Sequence, residues 1–207
     1  MALSKKLLLT VLILSSSFYE RGSVKETSIS QSQKTHLIEE ADRIIAKADS
    51  ISGTRVYPYF RIFAEVDDEP PQYVEIKDTN MWPENTITSI NVIYDEKKKP
   101  LAYIEIHFDE TGDWHNVYSN YFNKEGKIIV FKRYSGFFNS ECVEGVLKER
   151  TLIYYDAKFN KIEEKYELYD QSDNPVDSTG CWFCCRFDYE IYKTFSKTPL
   201  VKKRILK

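Results

Sequence analysis

The stretch YDEKKKPLAYIEIHFDETGDWHNVYSNYFNKEG, residues 94–126, contains the pattern that decides the fold. An aromatic residue followed by Asp or Asn occurs three times in it, and two later pairs, which begin at Tyr155 and Tyr169, continue the pattern. Polar turn-forming residues follow each pair, and eight or nine strand-like residues lead to the next turn. The pairs are Tyr94-Asp95, Phe108-Asp109, Phe122-Asn123, Tyr155-Asp156 and Tyr169-Asp170, at spacings of 14, 14, 33 and 14 residues.

Each pair has a simple physical role. The aromatic residue closes a strand on a packed face, and the Asp or Asn side chain accepts hydrogen bonds from the backbone amides just ahead, which starts a turn. One strand and one turn form a unit of 14 residues, so we predict an up-and-down antiparallel meander. Residues 135–145 interrupt the spacing and predict a longer loop or a bulged strand, and residues 170–180 predict a second long polar loop.

An amphipathic helix is predicted ahead of the sheet. It extends from Thr35 to about Gly53, and its apolar stripe needs a sheet to cover. The residues of the stripe are Leu37, Ala41, Ile44, Ile45 and Ala48. Strand signals follow at 59–66, 73–77 and 87–94. The fold class is therefore α+β, mainly β: one amino-terminal helix packed on an antiparallel meander of seven to ten strands, either open or curved into a half-barrel.

The amino terminus has the features of a secretory signal. Residues 1–17 combine two lysines, an apolar run from Leu7 to Leu14 and three serines, so we predict a signal peptide there. A helix of that run spans about 12 Å, against a hydrocarbon core of about 30 Å, so we predict no transmembrane span in the mature form. Residues 18–34 are polar and predict a flexible leader, and residues 35–207 predict one domain.

The residues 14–17 resemble the lipobox of bacterial lipoproteins, except that Ser17 stands where the lipid-bearing Cys would be. Because serine cannot form the thioether, we predict a periplasmic or extracellular protein rather than a membrane-anchored one. The net charge of −3, from 29 basic and 32 acidic residues, predicts that nucleic acid is not a partner. No phosphate-binding loop, nucleophile elbow or His-Glu-x-x-His motif is present, so we predict no cofactor.

Four cysteines lie in the carboxy-terminal third of the chain: Cys142, Cys181, Cys184 and Cys185. An even number in an exported protein predicts disulfide bonds, with the pairing left open. A bond between Cys142 and one of the other three would close a loop of about 40 residues and contribute roughly 4 kcal/mol on the chain-entropy model.

One group of residues suggests a metal site. If residues 109–113 form a hairpin loop, Phe108 pairs with Trp114 and His107 lies opposite His115, with Glu105 on the same face. Two imidazoles and a carboxylate can bind zinc with one position open, as in metal-assisted hydrolysis. The alternative is that the two histidines are ordinary, partly exposed residues of the sheet.

The pattern of an aromatic residue, Asp or Asn and a turn resembles the hairpin repeats of the YD and MORN families over about 80 residues, 94–170. This resemblance implies a sheet built one strand at a time and exposed on both sides, and it implies no catalytic residues. In layout alone, a helix ahead of a meander is similar to periplasmic lipoprotein-carrier proteins, in which the sheet is curved and its concave face is apolar.

We therefore predict an exported, non-enzymatic protein of a bacterial envelope with a binding or structural role, whose partner is a protein or an apolar ligand. One alternative is a carrier that holds a lipid or other apolar ligand between sheet and helix. The others are an inhibitor or immunity-type protein and a metal-dependent hydrolase. The carrier would use alternate residues of one strand, namely Ala102, Ile104, Ile106 and Phe108.

Overall fold

The computed structural model describes residues 29–78, 80–108, 111–138, 140–182 and 189–206. A long helix precedes one open sheet of nine antiparallel strands, in the order β2-β1-β3-β4-β5-β6-β7-β8-β9. A short helix closes the chain. The elements are α1 (Gln31–Thr54), β1 (Phe60–Val66), β2 (Gln72–Ile76), β3 (Thr86–Tyr94), β4 (Pro100–Phe108), β5 (Trp114–Phe122), β6 (Ile128–Phe137), β7 (Leu147–Tyr155), β8 (Lys161–Tyr169), β9 (Pro175–Val176), a 3-10 turn (Phe195–Lys197) and α2 (Pro199–Lys202). The predicted class, a helix on an antiparallel meander, is confirmed.

The turns work as the sequence predicted. Asp95, Asn123, Asp156 and Asp170 each accept hydrogen bonds from the backbone amides two and four residues ahead, at 2.8 to 3.1 Å. The residue three positions after each of them has a positive φ, as in a turn that ends in a bulge. The same turn therefore recurs four times, and it links strands of nine or ten residues in the first three cases. Asp109 lies outside the described residues.

Helix α1 begins four residues earlier than predicted. The Ser30 hydroxyl accepts a hydrogen bond from the backbone amide of Gln33, and the Gln33 side chain accepts one from the amide of Ser30. This capping box satisfies amides that a helix start leaves unpaired, and it draws part of the predicted leader into the helix. A side-chain contact holds α1 against the sheet: the hydroxyl of Tyr154, on β7, donates a hydrogen bond to Asp42, on α1, at 2.8 Å. The helix covers a cluster that contains Ala41, Ala48, Phe60, Ile93, Leu101, Ala102, Tyr121, Val130 and Tyr154.

The opposite face of the sheet is covered by residues 189–206, which we call the carboxy-terminal segment. They join the sheet through a bridge between Lys127 and Thr194, and through a hydrogen bond from the Phe195 amide to the Gly126 carbonyl at 2.9 Å. The resulting core contains Phe63, Ile90, Val92, Tyr103, Tyr118, Phe122, Ile128, Phe131, Ile153, Tyr155, Tyr192, Leu200 and Leu206. The sheet is thus packed on both faces.

A disulfide joins Cys142, in the loop between β6 and β7, to Cys181, which follows β9. The two Cα atoms are 5.1 Å apart. This pairing is one of those left open by the sequence. Cys184 and Cys185 lie outside the described residues, as do the predicted signal peptide and most of the predicted leader. In the described part of the chain, no helix is both long enough and apolar enough to cross a membrane.

Candidate functional site

A pocket of about 310 Å3 lies between the sheet and the carboxy-terminal segment. Strands β4 and β5 form its floor, and residues 189–192 form one wall. We call it the carboxylate pocket. Among the described residues, its lining consists of Glu105, His107, Trp114, Asn116, Tyr118, Tyr189, Glu190 and Tyr192.

The pairing of β4 with β5 determines which side chains reach this pocket. Glu105 lies opposite Tyr118, and His107 lies opposite Asn116. Residues directly opposite each other in an antiparallel pair share a face, so these four side chains form one patch of the floor.

The same register separates the three residues of the predicted metal site. The expected pairing of His107 with His115 differs from the observed one by one residue, because His115 lies opposite Phe108. A shift of one residue moves a side chain to the other face of the sheet. His115 therefore lies on the face that carries α1, where its ring packs against Tyr134 and fills the space above Gly136. The structure brings Glu105 and His107 to one face without His115, and the described residues contain no cluster of three or more His, Cys, Asp or Glu side chains able to hold a metal ion.

Glu105 is the most unusual group of the pocket. It is 9% exposed, and the Tyr192 hydroxyl donates a hydrogen bond of 3.0 Å to its Oε1. The pKa of Glu105 is raised to about 7: burial is the main cause, the carboxylates of Glu65 and Glu190 act in the same direction, and the hydrogen bond from Tyr192 opposes them. The carboxyl group is therefore partly protonated at neutral pH. A perturbed carboxyl group in a cleft indicates a candidate functional site.

Tyr192 is itself held in place from the sheet. Its backbone amide donates a hydrogen bond of 3.1 Å to Oδ1 of Asn120, and its ring meets Tyr103 edge to face at 5.6 Å between centroids. Both contacts are buried. The hydroxyl that meets Glu105 is consequently positioned by the core rather than by a loose chain end.

The other polar groups of the floor are His107 and Asn116. Nδ1 of His107 is 3.2 Å from the Thr88 hydroxyl, and burial lowers the pKa of its imidazole, so the ring is neutral at neutral pH. Asn116 is only 2% exposed, and its Nδ2 has no hydrogen-bond partner among the described residues. A buried amide donor without a partner costs about 1–3 kcal/mol, so it is a natural contact point for a ligand.

A buried ion pair supports the wall of the pocket. Nη2 of Arg133 is 2.5 Å from Oε1 of Glu149, and the two side chains are 12% and 1% exposed. The guanidinium also lies 5.0 Å from the ring centroid of Tyr189. Arg133 is thus the link between β6, β7 and the start of the carboxy-terminal segment.

The residues predicted to face an apolar ligand lie on the other face of the sheet, beneath and beside α1. Ala102 is fully buried in the cluster under the helix. Ile104 packs against the same cluster and lines an open groove of about 520 Å3 that also contains Asp49, Lys132 and Arg150. Ile106 is half-buried, and the side chain of Phe108 lies outside the described part of the structure.

The fold and the site together define a nine-stranded meander, packed on both faces, with a buried carboxyl group in a pocket beneath its last segment. No protein-family model matches the chain, and no curated protein or solved structure matches it either. The candidate site therefore rests on its own geometry.

Glu105 and His107 of the predicted metal site line the pocket, whereas Asn116, Tyr189 and Tyr192 were not predicted from the sequence. The predicted register, with His107 opposite His115, places Asn116 on the other face of the sheet, so Asn116 joins the two only in the register that the structure shows. Tyr189 and Tyr192 carried a weaker signal, namely apolar and aromatic residues in a stretch that ends in lysines.

Proposed function

We propose that this chain is an exported, non-enzymatic binding protein of a bacterial envelope, and that its ligand occupies the carboxylate pocket. One observation carries the proposal: Glu105 and Asn116 are buried in the same floor, and the described residues leave part of their hydrogen-bonding capacity unused. Buried polar groups are normally paired. Unused capacity in a concave site with aromatic walls suits a small polar ligand.

Two features support export. The disulfide between Cys142 and Cys181 fits an oxidising compartment, where such bonds persist. The sequence of residues 1–17 supplies the expected signal. Location in the periplasm or outside the cell is part of the proposal.

The lining of the pocket favours a polar ligand over the apolar one considered from the sequence. An apolar occupant would remove water from Glu105 and Asn116 without replacing its hydrogen bonds, which is costly. The carrier, the inhibitor or immunity-type protein and the metal-dependent hydrolase remain alternative hypotheses. A protein-binding role would use a larger surface than this pocket, so pocket variants separate it from the proposal.

The test is a ligand-observed NMR screen of the mature protein against a library of polar compounds. The pocket variant is E105Q/N116A, and the control is K132Q, an exposed residue in the groove on the opposite face. We expect compounds that bind the wild type and the control but lose binding to the pocket variant, with all three proteins equally folded by circular dichroism. Binding that the pocket variant retains, or a complete absence of binding to the wild type, would refute the proposal.

A further inference from the structure

We infer that the ligand of the carboxylate pocket is a small organic cation, a protonated amine that also carries a hydrogen-bond acceptor such as a carbonyl group. This inference rests on the proposed function, since it names the ligand class of the same pocket. Three features lead to it: the charge of the lining, the unused capacity of the two polar groups in the floor, and the arrangement of the aromatic rings.

The charge of the lining is negative. Its described residues include two carboxylic acids, Glu105 and Glu190, and neither Lys nor Arg. Arg133 lies nearby, but its charge is balanced by the buried carboxylate of Glu149, which its Nη2 contacts. A cationic group in the pocket would offset the cost of keeping the Glu105 carboxylate away from water.

The floor offers an acceptor and a donor at a fixed separation. A carboxylate can accept about four hydrogen bonds, and the described residues supply one to Glu105, from Tyr192. Asn116 supplies the donor, its unpartnered Nδ2. The register makes Glu105 and Asn116 diagonal neighbours on one face, whose Cα atoms are about 7–8 Å apart. A ligand with an ammonium group a few bonds from a carbonyl oxygen meets both.

The aromatic rings favour this class over a sugar. Tyr118 and Tyr189 stack on each other at 5.4 Å, and Tyr189 stacks on Phe131 at 4.9 Å. His107 also packs against Tyr118, at 5.3 Å. These rings already use faces on which a sugar would stack, so they act mainly as an apolar wall. That wall lowers the local dielectric and strengthens an ion pair at Glu105.

A metal ion is a less suitable occupant. A bare divalent cation needs several ligands from the protein, whereas the described residues place no three His, Cys, Asp or Glu side chains within reach of one another. An ammonium group needs one carboxylate and a few hydrogen-bond acceptors. The volume of about 310 Å3 has room for roughly ten water-sized groups, which fits a small amine with a short chain.

The test uses three compounds of similar shape and different charge: β-alaninamide as the cation, propanamide as the neutral form and succinamate as the anion. Binding is followed by 1H-15N NMR of the mature protein at pH 8, with the side-chain amide of Asn116 as the reporter. We expect β-alaninamide to bind at least tenfold more tightly than the other two, and E105Q to lose that preference. The matched control is K132Q on the opposite face, which should bind like the wild type.

The dependence on pH provides a second readout. The titratable groups around Glu105 are Glu65 of β1, Glu190 and Tyr192 of the carboxy-terminal segment, Tyr73 of β2, Tyr103 and His107 of β4, and Tyr118 of β5. Because a bound cation favours the ionised carboxyl group, cation and proton compete, and the affinity should fall up to tenfold per pH unit below about 7. This decrease should be absent in E105Q.

The outcomes separate the two levels of the proposal. Tighter binding of propanamide or succinamate, or an unchanged preference in E105Q, would overturn the ligand class and leave the pocket as a binding site. If none of the three compounds shifts the resonances of the pocket and the polar library also fails to bind, the proposed function falls together with the inference.

Discussion

Replacement of Arg133 by Met tests how the carboxy-terminal segment is anchored. Glu149 is 1% exposed and its carboxylate meets Arg133 at 2.5 Å. Met preserves most of the apolar stem but removes the charge, so a carboxylate remains buried without a cation. Breaking such a pair from one side costs about 3–5 kcal/mol. The lost contact with the Tyr189 ring adds to this cost.

The measurement is equilibrium urea unfolding followed by circular dichroism. With a slope of about 2 kcal/mol per molar urea, the expected loss moves the midpoint down by about 1.5–2.5 M. The matched control is R150M on the neighbouring strand. Arg150 pairs with Asp173 at 2.8 Å, but these side chains are 41% and 57% exposed, so its loss should cost at most about 1 kcal/mol.

The double variant R133M/E149L identifies the cause. Removing both charges removes the unpaired carboxylate, so the double variant should regain most of the stability that R133M loses. The reasoning is refuted if R133M costs no more than R150M, or if the double variant is as unstable as the sum of its single changes.

Three further predictions concern the disulfide, a turn and the pocket. The variant C142S/C181S should lower the free energy of unfolding by about 4 kcal/mol, because the bond closes a loop with a sequence separation of 39; an unchanged urea midpoint would contradict this. The variant D156A removes the acceptor of two backbone amides at 2.8 Å and should lower the free energy of unfolding by about 1–3 kcal/mol in the same assay. An unchanged urea midpoint would show that the turn forms without this side chain. The raised pKa of Glu105, about 7 against 4.5, means that the folded protein binds its proton more tightly than the unfolded chain. The free energy of unfolding should therefore fall by about 3 kcal/mol as the pH rises from 4.5 to 8. Thermal unfolding measured across this pH range should show the decrease in the wild type and not in E105Q.

The turns were the most predictable part of the fold. Asp95 and Asn123 act through hydrogen bonds to amides two and four residues away, so all the information lies within a few positions. The start of α1 was available in the same way, because Ser30 and Gln33 have the spacing of a capping box. The polar composition of residues 18–34 instead predicts a leader, which conceals this signal.

The register of β4 and β5 could not be obtained from the sequence with the same certainty. One residue more or less in the loop decides whether His107 meets His115 or Asn116, and both pairings keep apolar residues on each face. In a sheet buried on both sides, the usual alternation of polar and apolar residues gives little guidance. The predicted metal trio depended on that single residue.

The pocket was still further from prediction. The hydrogen bond between Tyr192 and Glu105 joins residues 87 positions apart. Nothing local to either residue indicates the other. The end of the carboxy-terminal segment is also held by distant contacts, because Lys203 donates a hydrogen bond to the carbonyl of Pro71 and Leu206 is buried. The tertiary fold alone creates the pocket.

The alternation of nine-residue strands with five-residue turns also governs how this protein can change in length. Residues 14 positions apart lie on adjacent strands that run in opposite directions, and their side chains lie on opposite faces of the sheet. Residues 28 positions apart share both the strand direction and the face, as Ile90 and Tyr118 do. Insertion or deletion of a whole hairpin of 28 residues would therefore preserve both cores, and loss of a single strand would exchange them. Relatives of this chain should therefore differ in length by pairs of strands. Because the turns share one hydrogen-bond pattern, a duplicated hairpin would join the sheet through the same kind of turn.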